Sequence, residues 1–91
     1  MKHTSRNDIK KKIAEILLDH NWVKPGEEVH ERHSYENDYG MDSLDKLELA
    51  MDLGREYGVY IPDEVEERMN TVAITIDYIH QQLNNYESKQ N

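Results

Sequence analysis

Apolar positions along this chain recur with a helical period. Ile9, Ile13, Ile16 and Leu17 fall at i, i+4, i+7 and i+8, a single stripe on a helix from about Asn7 to His20. Ser5 or Asn7 can cap its start. Val72, Ile76, Ile79 and Leu83 make a similar stripe near the other end, with Thr71 as N-cap and Asn84 and Asn85 as its stop. Between them, Leu47, Leu49, Ala50, Leu53 and Tyr57 cover one broad side of a helix running from Ser43 to about Tyr57, which Gly58 ends. "IPDEVEERM" reads as a short helix after Pro62. No segment alternates like a strand, and "GVYI" is too short to build a sheet. The pattern predicts an all-α fold: a small four-helix bundle of three main helices and one short one, in a single domain covering 1–91. A long polar connection, "NWVKPGEEVHERHSYENDYGM", joins the first two helices, and Trp22, Val29, Tyr35 and Tyr39 are expected to pin it to the core.

Composition narrows the function. Hydrophobic residues make up 36% of the 91, lean but periodic, which argues against disorder. There is no cysteine, so disulfides, thiolate metal sites and cysteine nucleophiles are excluded. The formal net charge of −8 makes nucleic acid a poor partner and basic protein surfaces good ones. The charge is polarised: Asp42 to Glu67 holds nine acidic residues against two basic ones, whereas Met1 to Lys12 holds five basic against one acidic. No apolar run approaches membrane-spanning length, so no stable membrane insertion is expected. The basic start leads directly into an amphipathic helix, so a targeting peptide is not expected either.

The second main helix carries two features its core does not need. Leu44 and Met51 fall together on the side away from the core, beside Glu48 and Arg55, with Asp45, Asp52 and Glu56 flanking them. Exposed apolar groups framed by charge suit a docking surface, the alternative being an ordinary solvated face. The second feature is Ser43. Asp42 is the natural N-cap, with Asp45 in a capping-box position, which leaves the Ser43 hydroxyl free and outward. The alternative is that Ser43 is itself the cap. Self-catalysis is not expected: no base adjoins Ser43, the nearest histidine is His33 in the long loop, and no Gly-x-Ser-x-Gly elbow is present. His30-x-x-His33 lacks a third ligand, and a calcium loop starting at Asp38 would put Ser43 at its glycine position and Leu49 at its glutamate position, so no metal site is expected.

"DYGMDSLDKLELAMDLGREYGVYIPDEV", followed by "TVAITIDYI", resembles the acyl carrier proteins. The likeness runs in four ordered blocks. They are Gly40 with Asp42-Ser43-Leu44, then Glu48-Leu49, then Ile61-Pro62-Asp63-Glu64, and last Thr71-Val72 closing at Ile76 to Ile79. The resemblance implies a four-helix carrier, not an enzyme, whose Ser43 receives 4′-phosphopantetheine from coenzyme A through a separate phosphopantetheinyl transferase. It further implies a monomeric, cytoplasmic protein that presents acyl thioesters to partner enzymes with basic patches. Those patches would meet Asp42, Leu44, Asp45, Glu48, Met51, Asp52 and Glu56. Leu47, Ala50 and Ile61 would line the groove that shelters an acyl chain. Lys46, Gly54, Arg55, Tyr39 and Tyr57 depart from the family's usual residues. These departures leave open whether the cargo belongs to fatty-acid synthesis or to a specialised lipid or secondary-metabolite pathway. An aminoacyl or peptidyl carrier, or an unmodified acidic helical adaptor, are the competing expectations.

Overall fold

The computed structural model describes residues 4–89, with side chains through residue 85. Five helices follow in order: α1 (Arg6–Asp19), α2 (Tyr35–Tyr39), α3 (Ser43–Tyr57), α4 (Asp63–Arg68) and α5 (Val72–Lys89). Ser5 caps α1 in a full capping box with Asp8, so of the two expected caps the serine takes the position. Ile9, Ile13, Ile16 and Leu17 bury against Leu49 and Leu53 of α3 and Val72, Ile76 and Ile79 of α5. Each buried Ile or Leu contributes roughly 1.5–3 kcal/mol, so this three-helix seam carries most of the stability. α4 differs in kind: none of its residues is buried, and Pro62 starts it without a side-chain cap.

Two findings modify the expected element map. α5 continues past Asn84 and Asn85 to Lys89, since asparagine lowers helix propensity only slightly and nothing there forces a stop. The long connection contains the one-turn α2, giving the bundle a fifth helix. Ser34 caps it by accepting from the Asn37 N–H at 3.0 Å, and Gly40 ends it in the left-handed region at φ 65°. Its i, i+4 pair, Tyr35 and Tyr39, is buried, as are Val23 and Val29, while Trp22 packs half-buried at the core edge.

The loop is sewn to the start of α5. The Tyr35 N–H donates to the Asn70 carbonyl at 3.1 Å, the Val72 N–H to the His33 carbonyl at 3.1 Å, and the Ala73 N–H to the Glu31 carbonyl at 2.8 Å. These bonds satisfy donors that the first turn of any helix leaves open. The resulting Ser34–Thr71 bridge is the only β-type pairing among the described residues. Beneath it, the Tyr35 hydroxyl donates to Thr75 Oγ1 at 2.7 Å, and the Thr75 hydroxyl donates to the Thr71 carbonyl at 3.1 Å. This buried relay sets the height of α2, and through it the turn that leads into α3.

Candidate functional site

That turn is short. After Gly40, Met41 buries its side chain and donates its N–H back to the Tyr35 carbonyl at 3.0 Å. The chain then enters α3 at Asp42. Asp42 Oδ1 accepts from the Asp45 N–H at 2.8 Å, and Asp45 Oδ2 accepts from the Asp42 N–H at 3.1 Å. The capping box is therefore filled by two aspartates, and the serine is not the cap. Ser43, first residue of α3, is exposed. It borders a cleft of about 620 Å³ lined also by Ser34, Glu36, Asn37, Lys46 and Asn70. No histidine lines this cleft, and His33 instead shares a 2.7 Å hydrogen bond with the Tyr39 hydroxyl. The hydroxyl has no imidazole beside it, only the carboxylates of Glu36 and Asp42 in the same lining, and it stands open to another protein.

Lys46, one turn further, reaches across to α4. Its Nζ donates to the Glu67 carbonyl at 3.3 Å and to Asn70 Oδ1 at 3.2 Å. Ser34, Asn37 and Asn70 were not singled out by the pattern of the chain. Ser34 carries the local sign of an N-cap, but nothing in the sequence around Asn70 points to α3.

The outer side of α3 presents Leu44, 72% exposed, and Met51, 53% exposed. Asp42, Glu48 and Glu56 are exposed around them. The acidic frame is less free than its count implies. Asp52 is largely covered: the ring of His20 meets its Oδ2 at 2.8 Å, and Arg55 pairs with its other oxygen. His20 in turn stacks on Trp22, with ring centroids 4.4 Å apart, and its Nδ1 lies 3.6 Å from Glu48. Glu56 lies 3.6 Å from the Lys12 ammonium. Asp52 thus ties α3 to the end of α1.

Leu47 is 39% exposed, on the rim of the core rather than in it. With Ala50, Met51, Gly54, Tyr60 and Ile61 it lines a second, more apolar cleft of about 350 Å³. Gly54 is a spacing requirement here: a Cβ at that position would lie 3.0 Å from the Val59 carbonyl oxygen, which the chain brings back over α3. Burial pushes the Tyr39 phenol up to about 12 and raises that of Tyr35 as well, so both hydroxyls serve as neutral hydrogen-bonding groups. His30 and His33 meet edge to face, with centroids 4.8 Å apart. No group of three or more metal-ligating side chains occurs among the described residues. No helix among them is long and apolar enough to cross a membrane.

The comparisons with known proteins agree with this arrangement. The family model described as "Phosphopantetheine attachment site" matches residues 7–79, a stretch from α1 into α5. Acyl carrier proteins from two strains of Porphyromonas gingivalis are each 36% identical over 77 residues, covering 85% of this chain and 97% of the relative. The solved acyl carrier protein from Enterococcus faecalis superposes with a TM-score of 0.70 at 28% identity, covering 85% of this chain and 96% of that one. With a helical bundle of that shape and a match spanning its core, this chain belongs to the acyl carrier proteins, non-enzymatic carriers that a phosphopantetheinyl transferase modifies and that work with acyl-handling enzymes.

Proposed function

We propose that Ser43 is the residue that receives the 4′-phosphopantetheine arm, and that residues 1–91 act as one monomeric, cytoplasmic domain delivering acyl groups to a succession of enzymes. The observation that carries this reading is the Asp42–Asp45 capping box, which relieves an exposed serine of structural duty at the head of α3. In the loading step the Ser43 oxygen attacks the phosphorus of coenzyme A that bears the pantetheine. The bond from that phosphorus to the bridging oxygen breaks, and adenosine 3′,5′-bisphosphate departs with the electron pair. The serine proton passes to a base of the transferase, since the cleft lining offers no histidine to take it. Once attached, the arm's terminal thiol holds acyl groups as thioesters.

The remaining residues bind rather than react. Leu44 and Met51 supply the apolar centre of the docking face, a small exposed pair that suits transient visits. Asp42, Asp45, Glu48, Glu56 and, less freely, Asp52 supply the charge that attracts basic patches, raising association rate more than affinity. Leu47, Ala50 and Ile61 share the apolar cleft beside α3, a shelter for an acyl chain rather than for a charged aminoacyl group. Membership in the acyl carrier proteins sets aside the unmodified adaptor, and the apolar cleft favours the acyl reading over an aminoacyl one. The pathway, fatty-acid or specialised, follows from whichever acyl group the cleft accepts. The test is an intact mass after incubation with coenzyme A and a broad-range phosphopantetheinyl transferase. One added arm in the native chain and none in Ser43→Ala is the expected result; an arm that persists in Ser43→Ala overturns the assignment.

A further inference from the structure

The cleft beside Ser43 holds a cation whose present partners are poor ones. Glu36, Asp42 and Lys46 are the charged residues lining it, so Lys46 is its one positive group among the described residues. Lys46 stands three positions after Ser43 in α3, on the same face of the helix. Its ammonium reaches away, to two neutral acceptors at 3.2 and 3.3 Å. One of these, the Glu67 carbonyl, belongs to the last turn of α4, where helix carbonyls lack partners within the helix and a lysine can supply one. Within α4 no residue is buried, and its end is held by the fully buried Met69 that caps it together with this tie from Lys46 to α3.

We propose that Lys46 is a latch reset by loading: in the bare chain it fastens α4 and Asn70 to α3, and the phosphodiester formed on Ser43 draws its ammonium away. The inference rests on the reading that Ser43 carries the arm. A phosphodiester at Ser43 introduces a negative charge one helical turn from Lys46, into a cleft whose other charges, Glu36 and Asp42, repel it. The ammonium already donates as a charged group to a carbonyl and an amide, and what the phosphate adds is an opposite full charge, whose Coulomb attraction two neutral acceptors do not supply. Enzymes that dock near α4 then meet a bundle whose end is looser when armed than when bare.

The experiment compares the ¹⁵N-labelled native chain, Lys46→Met and Lys46→Arg, each before and after loading, with intact mass recording the arm. In the native chain and in Lys46→Arg, loading is expected to move the Asn70 side-chain amide resonance. It is also expected to speed amide exchange in the last turn of α4 by about threefold, the low end of what one net hydrogen bond lost gives. In Lys46→Met that exchange is already fast before loading, and the Asn70 shift is less than half as large. The ³¹P resonance of the phosphodiester differs between native and Lys46→Met proteins at low salt, and the difference shrinks at about 1 M salt, where screening acts within a few ångströms. Equal Asn70 shifts in native and Lys46→Met proteins, both bearing the arm, overturn the latch and leave the attachment reading intact. Absence of an arm on Ser43 overturns both.

Discussion

The buried relay from Tyr35 to Thr75 to Thr71 gives a sharp energetic prediction. Both side chains are inaccessible to water, at 1% and 0% exposure, and their oxygens lie 2.7 Å apart. Tyr35→Phe keeps the ring and removes the donor. The Thr75 hydroxyl still donates to the Thr71 carbonyl, so only an acceptor is left open, and the cost is about 1 kcal/mol. Thr75→Val keeps the shape but strands the tyrosine hydroxyl in the core, at about 2 kcal/mol. The Thr71 carbonyl is not orphaned, because the Thr75 N–H also reaches it at 3.3 Å. Removing both partners together leaves no stranded group, so the double variant is expected to cost about 1 kcal/mol rather than the ~3 kcal/mol of the two singles added. For a domain of this size each kcal/mol moves Tm by roughly 4–8 °C, well within reach of a thermal melt checked by urea titration. Additivity within about 0.5 kcal/mol would refute the relay as an energetic unit.

The other predictions are simpler. Asp42→Ala removes the cap of α3 and should cost about 1 kcal/mol in urea unfolding, whereas Asp42→Asn should retain most of that stability. Gly54→Ala would ordinarily gain about 1 kcal/mol inside a helix; the Val59 oxygen, 3.0 Å from the added methyl, should abolish the gain, and a clear rise in the urea midpoint would contradict that contact. The raised phenols of Tyr35 and Tyr39 mean that the unfolded chain loses their protons first, from about pH 10 upward. Their contribution is therefore whole below pH 10 and lost as pH rises toward 12 and beyond, and Tyr39→Phe should make the alkaline decline in urea midpoint shallower. A net charge of −8 predicts that moderate salt raises Tm by screening repulsion, and a flat or falling Tm would show that the ion pairs of Arg6 and Lys12 matter more.

What the sequence disclosed follows the range of the interactions involved. Caps, stripes and stops act within a few residues, so α1, α3, α4 and the body of α5 were readable from Ile, Leu, Pro and Gly spacing. The single turn of α2 is too short for periodicity to register, although Ser34, the Tyr35 and Tyr39 pair and Gly40 together are its local signature. The free hydroxyl of Ser43 was legible because its competitor for the cap, Asp42, is its neighbour. The partners of Asp52 and Lys46 were not, because His20, Glu67 and Asn70 reach them only through the packing of α1 and α4 on α3. An acid counted as part of a docking surface can thus be occupied by a histidine from another helix.

The backbone bonds that sew the loop to α5 also bear on the order in which this chain takes shape. They join residues 31–35 to residues 70–73, so the strand of chain leading to the serine turn has no edge to rest on until the far half of the molecule has arrived. A ribosome-bound fragment ending before Thr71 has the helix that bears Ser43 but lacks the edge that fixes its approach. The shape of the turn before Ser43 is therefore a property of the completed bundle and not of its first half.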